Sequence, residues 1–226
     1  MRADPRKRKA VRITPPEPPA TSVIAGEPPL LEDGEAIEDL RLRDVDLADA
    51  SAAGVRMERV EMERTSLARA GLPRAVVLDA RFAACDLAGS RWERAHFGRV
   101  EMDGCRLVGA GFARATLADV RLREANGEMA IFISATFTAT RFERCNLRGA
   151  SFEGADLRGT VFRDCDLRNA DFRGCKLDGA DLRGSSIAGV ALGTGALRGL
   201  ILDPSQALDV VEQLGAAVRP LEDGEE

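Results

Sequence analysis

From residue 36 to residue 202 a large apolar residue returns at every fifth position. The series begins Ile37, Leu42, Leu47, Ala52, Met57, Met62 and ends Leu182, Ile187, Leu192, Leu197, Leu202. Of its 34 members only Ala52 and Gly127 are not large and apolar. Two residues before each centre, from Val45 to Gly195, stands Ala, Val, Cys, Thr, Ser or Gly. Two residues after it stands most often Gly, Asp, Arg or Asn. An amphipathic helix, with about 3.6 residues per turn, would rotate this stripe off its face within two turns. A strand would send successive members to opposite faces. Period five requires a chain that points one large and one small residue inward, turns a corner and repeats. Turns stacked in this way share backbone hydrogen bonds as a β-solenoid.

A longer period lies over the first. Trp92, Phe112, Phe132, Phe152 and Phe172 stand 20 residues apart, and Cys85, Cys105, Cys145 and Cys165 differ by multiples of 20. Leu47, Leu67, Leu87, Leu107, Leu147 and Leu167, followed by Ile187, keep the same step. Four pentads per turn make a four-sided coil of about eight turns. At ~4.8 Å per stacked strand it is a rod roughly 40 Å long. Its walls, numbered first to fourth, start at Ile37, Leu42, Leu47 and Ala52. One wall then carries an aromatic ladder, the preceding wall a leucine ladder, with a cysteine column beside it. The columns stay in step across Glu124-Ala125-Asn126-Gly127-Glu128-Met129. This segment is therefore expected inside the coil, with a dent at Gly127 where a Leu should be. Gly71-Leu72-Pro73-Arg74 is read the same way.

The ends differ from the body. Seven of the ten prolines fall within residues 1–35, mostly in Pro15-Pro16-Glu17-Pro18-Pro19 and Glu27-Pro28-Pro29. This segment is expected to be a disordered tail that forms neither ladder nor helix. Its Arg6-Lys7-Arg8-Lys9 run reads as a solvated cluster that helps solubility. After the coil (36–202), residues 203–217 predict a capping helix. Asp203 is its N-cap, Pro204 its first residue, Gln206 the partner in a capping box, and Gly215 its stop. Ala207, Val210, Val211 and Leu214 are expected to form the apolar face that covers the last turn, whose open edge would otherwise template aggregation. Residues 218–226 form an acidic tail.

Charge and chemistry-bearing residues narrow the function. The chain carries 37 acidic and 32 basic residues, but 36–202 is nearly balanced at 24 and 25. No wall is a stripe of negative charge. A coil so balanced is expected neither to bind nucleic acid directly nor to mimic it strongly. No apolar run is long enough to cross a membrane as a helix, and no apolar segment follows the basic start as in a secretory signal. Five cysteines without Cys-x-x-Cys spacing predict reduced thiols in a cytoplasm and no metal site. The cysteine column reads as small filler of a narrow core, with a redox switch as the alternative. His96 is the sole His and has no convergent base or nucleophile, so no catalytic residue and no cofactor are expected. Asp46, Asp86, Asp156, Asp166, Asp171 and Asp181 read as solvated edge residues. Outward apolar residues are few. Ile131 and Ile133 flank Phe132, Val76 and Leu78 flank Val77, and these four are the candidate interaction surface.

Cys145-Asn146-Leu147-Arg148-Gly149, Ala155-Asp156-Leu157-Arg158-Gly159 and Ala180-Asp181-Leu182-Arg183-Gly184 resemble the A(D/N)LXX unit of pentapeptide-repeat proteins. The resemblance spans 36–202. It implies a right-handed quadrilateral β-helix, cytoplasmic, bacterial and without catalytic activity, closed by a C-terminal helix. The best-understood members are quinolone-resistance proteins. They resemble DNA in size, shape and charge, dimerise through their C-terminal ends and bind DNA gyrase in place of DNA. Two functions are therefore expected to compete: a non-enzymatic rod that binds an unidentified protein, and a DNA mimic acting on gyrase. The charge balance favours the first.

Overall fold

Residues 36–193 wind into a parallel coil in which each residue stacks on the one twenty positions later. The computed structural model describes residues 12–19, 23–25, 29, 31–193, 197–213 and 217. The Arg6–Lys9 cluster, Gly195, Leu214, Gly215 and the acidic tail lie outside the described residues.

One nine-stranded sheet contains β1 (Val23–Ala25), β2 (Ala36–Arg43), β3 (Arg56–Glu63), β4 (Val76–Ala83), β5 (His96–Asp103), β6 (Thr116–Arg123), β7 (Thr136–Thr138), β8 (Arg141–Glu143) and β9 (Val161–Arg163). A second, two-stranded sheet pairs β10 (Asp171–Phe172) with β11 (Ala191–Leu192). Strands β2 to β6 each cross the first and second walls in one eight-residue run. The third and fourth walls carry single bridges, such as Asp46 to Ser66 and Ser51 to Gly71. Corners fall two residues after each apolar centre, where φ is positive, between +46° and +79°. That left-handed region is hostile to β-branched side chains. Among the described residues, every positive-φ position is Gly, Asp, Arg, Ala, Glu, Met, Ser or Asn.

The interior is the set of apolar centres with the small residues between them. On the fourth wall Trp92, Phe112, Phe132, Phe152 and Phe172 stack, their rings within 13° of parallel and the phenylalanine centroids 4.9–5.1 Å apart. A second, shorter stack, Phe142 on Phe162 at 4.8 Å, rises from the second wall. The two stacks meet edge to face across the core, as Phe142 and Phe152 do at 88°. This is a favoured aromatic geometry, and it binds opposite walls together. Gly127 sits in register, its N–H on Asn146 O at 2.7 Å. The Leu147 side chain packs where a Gly127 Cβ would be. Leu72 and Pro73 are likewise part of the coil, with Gly54 N–H on Pro73 O.

Three local expectations change. Strand β1 pairs in parallel with β2, Val23 opposite Leu40, so part of the N-terminal segment does join a ladder. It does so in the proline-free stretch 20–27, where every residue keeps its N–H. The helix α1 (Pro204–Gln213) has the expected capping box, with Gln206 N–H on Asp203 Oδ1 at 3.0 Å and Asp203 N–H on Gln206 Oε1 at 2.9 Å. However, among its described side chains Gln206 and Val210 are the buried ones, while Ala207 and Val211 are exposed. The reason is polar: the Gln206 amide donates to Leu182 O and Ser185 O, both at 2.6 Å, and so satisfies carbonyls of the closing turn. Of the six repeat aspartates, Asp46 is an exposed edge residue as expected, Asp86 pairs with Arg106, and the other four are less solvated than expected. Asp156, Asp166, Asp171 and Asp181 each hold the Arg two residues on, as Asp156 holds Arg158 at 2.7 and 2.8 Å.

Candidate interaction surfaces

Ile131 and Ile133 straddle the buried Phe132 on the fourth wall, because alternate residues of an extended segment face opposite ways. Ile131 is 39% and Ile133 38% exposed, and Met129 at the preceding corner is 60% exposed. Met129 reaches over Gly149, whose missing Cβ leaves room for its sulfur. The three form one apolar strip on an otherwise polar surface. Sequence reading found the two isoleucines and missed Met129, which occupies a corner usually held by Gly, Asp, Arg or Asn. That exception was the available signal. Val76 and Leu78 are half-buried, and Leu78 lies against Gly98 of the next turn.

The cysteine column is built into the backbone. Cys85, Cys105, Cys145, Cys165 and Cys175 are buried free thiols. Cys85 donates to Met62 O, Cys105 to Phe82 O and Cys145 to Leu122 O, each 23 residues earlier, at 3.4–3.5 Å. Thr140 and Ser185 make the same bond with hydroxyls, to Leu117 O and Phe162 O. Small residues with a thiol or hydroxyl donor thus serve carbonyls of apolar centres in the previous turn. Burial pushes the Cys175 thiol up to about 11. A thiol shifted that way is a poor nucleophile at neutral pH.

Charge is organised in columns and not in walls. At the corner between the first and second walls stand Asp39, Arg59, Asp79, Arg99 and Asp119, one per turn. Beside them run Arg41, Glu61, Arg81, Glu101 and Arg121. Signs alternate both along and across, a checkerboard. Arg59 Nε meets Asp39 Oδ1 at 2.7 Å, Arg99 Nε meets Asp79 Oδ1 at 2.6 Å, and Arg81 Nη2 meets Glu101 Oε2 at 2.8 Å. Asp79 is buried, and the Arg99 guanidinium holds its carboxyl below the usual range against the opposing effect of burial. Charge sums over whole walls average this alternation to nothing. Reading every twentieth residue would have found it.

Two family models match the chain, one described as pentapeptide repeats (8 copies) over residues 145–184 and one as pentapeptide repeat region over residues 77–152. Among solved structures, one similar chain is a trypsin-treated QnrB1, a plasmid-mediated fluoroquinolone resistance protein. It is 25% identical over 88% of this chain and 98% of its own, with a TM-score of 0.44. Another is HetL, a pentapeptide repeat protein involved in heterocyst differentiation regulation from the cyanobacterium Nostoc sp. strain PCC 7120. It is 15% identical over 75% of this chain and 87% of its own, with a TM-score of 0.41. A search of curated proteins gives no match.

Proposed function

Because this chain belongs to the pentapeptide-repeat proteins, we propose that it is a non-catalytic scaffold that binds a protein partner through its walls. The observation that carries this reading is the Met129–Ile131–Ile133 strip, large apolar side chains left in water on a coil that buries nearly every other one. Exposed apolar surface of this kind marks contact sites. Many outward titratable groups support it, since their charges are held in ion pairs within the coil, as in Arg64 with Asp44 and Arg123 with Asp103. A second exposed apolar pair, Leu208 and Val211 on α1, offers a surface for self-association at the C-terminal end.

Mimicry of DNA fits the surface less well. A mimic needs carboxylates free to stand in for phosphates, and here Asp44, Asp49, Asp79, Asp86, Asp103, Asp156, Asp166, Asp171 and Asp181 are each held by arginine. Gyrase supercoiling, with and without a fluoroquinolone, separates the two readings. The scaffold reading expects indifference to added protein. Inhibition or protection at submicromolar protein overturns it in favour of mimicry. The paired variant Ile131→Asp/Ile133→Asp tests the strip, and should keep its circular dichroism while losing proteins that the wild type retains in pull-down. Retention and elution volume identical to wild type would remove the strip from the reading.

A further inference from the structure

The coil leaves residues 12–19 without an assigned task, although they lie against it. Thr14 N–H donates to Asp119 Oδ1 at 3.0 Å and Glu17 N–H donates to Asp79 Oδ1 at 3.1 Å. Pro19 is buried. Pro16, Glu17 and Pro18 close a small cleft with Glu61, Asp79 and Arg81. The segment therefore runs along the checkerboard corner, back towards the start of the coil.

Its sequence is periodic. Thr14-Pro15-Pro16-Glu17-Pro18-Pro19 is the unit x-Pro-Pro twice. Proline has no N–H, so Thr14 and Glu17 carry the segment's only backbone N–H donors between 14 and 19. Residues before proline are pushed out of the helical region, and such runs adopt the polyproline II conformation. That helix has about three residues per turn and rises ~3.1 Å per residue, so the two donors fall on one side, ~9.3 Å apart. The corner column is periodic as well. A carboxylate comes on every second coil turn, Asp39, Asp79, Asp119, which at ~4.8 Å per turn places Asp79 and Asp119 ~9.6 Å apart. The two repeats agree to within a few tenths of an ångström. Arg59 and Arg99 occupy the intervening turns and hold Asp39 and Asp79 in place. A slip by one turn towards the start of the coil would set both N–H groups against guanidiniums, which accept no hydrogen bond, and a slip the other way would set Thr14 against Ala139. The alternation of sign thus selects the spacing and confines the segment to registers two turns apart.

We propose that the Asp79–Asp119 corner is a docking track for x-Pro-Pro segments, and that residues 12–19 are its built-in ligand. The N-terminal segment is then a strap, which closes this face of the rod to other ligands of the same kind. The proposal is independent of the apolar strip, which lies on another wall.

Amide hydrogen exchange on the full chain tests it. Thr14 and Glu17 should exchange at least about ten-fold more slowly than unstructured amides, since both N–H groups are bonded. Glu17→Pro removes one donor and keeps the extended conformation, so it should return Thr14 towards the unstructured rate. Glu17→Ala keeps the donor and should leave Thr14 protected. A synthetic peptide of residues 12–19 provides the second arm. Added to Thr14→Pro/Glu17→Pro, whose own strap has lost both donors, it should shift the NMR signals of Asp79 and Asp119, and it should shift them far less in the wild type. Unprotected Thr14 and Glu17 amides in the wild type would overturn the strap. Absence of peptide binding to the double variant at millimolar concentration would overturn the track.

Discussion

At the scale of single residues, the corner position governs what the chain tolerates. Its positive φ explains why Gly, Asp and Asn recur there, while the corner arginines hold carboxylates one turn away, and the same φ makes the cost of substitution separable from packing. Gly109 has φ +64° and nothing within 4 Å of where a Cβ would stand. Replacing it tests backbone strain alone. Gly109→Ala should destabilise by about 1 kcal/mol and Gly109→Val by more, because a left-handed conformation costs an L-residue roughly 1–2 kcal/mol. Urea unfolding reads the difference, and equal midpoints for the Val variant and the wild type would contradict the assignment. Inward positions were legible for the opposite reason: with five residues per wall, the apolar centre has one direction to face. What escaped was the behaviour of polar atoms. Cys85 and Cys105 look like filler in a sequence, yet each thiol finds a carbonyl 23 residues back, a partner visible only once the turns are stacked.

At the scale of elements, the C-terminal helix shows how far local signals reach. Its start was readable because a capping box is made by residues three apart. Its buried face was not, because the surface that receives it presents carbonyls as well as apolar atoms. Gln206→Ala should therefore cost about 2 kcal/mol, since it leaves Ser185 O without a donor and Leu182 O with the Ser185 N–H alone. Val211→Ala should stay within about 0.5 kcal/mol, as expected for an exposed side chain. Asp203 adds a pH dependence to the same element. The Ser205 hydroxyl first, then the Gly184 and Gln206 N–H groups, hold its carboxyl down to about 2, below its ordinary 3.8. A depressed carboxylate stabilises the folded form fully above its unfolded value and loses that effect as pH falls through the folded value. Exchange protection of the Gln206 amide should accordingly decline between pH 3.8 and 2. Asp203→Asn, which keeps an acceptor without a titrating group, should remove that decline.

At the scale of the whole molecule, the twenty-residue period makes a rule about length. Deleting residues 107–126 removes one full turn and returns every later side chain to its own wall, so the shortened rod should fold with an unchanged β-rich spectrum. Deleting residues 107–111 moves every later centre back by one wall, which sets Phe112 in line with Leu87 in place of Trp92. That smaller deletion should lower the thermal midpoint by about 10 °C or more relative to the larger one, because a shifted core loses several kcal/mol of packing. Comparable melting of the two variants would contradict a four-sided coil. The period, the walls, the aromatic ladder and the in-register Gly127 could all be read from the order of residues, since each depends on spacing along the chain and on which side chains avoid water. The thiol-to-carbonyl bonds of the cysteine column, the edge-to-face meeting of the two aromatic stacks and the seat of residues 12–19 could not. They depend on distances between residues from ten to about a hundred positions apart, and such distances exist only after the chain has wound into its coil.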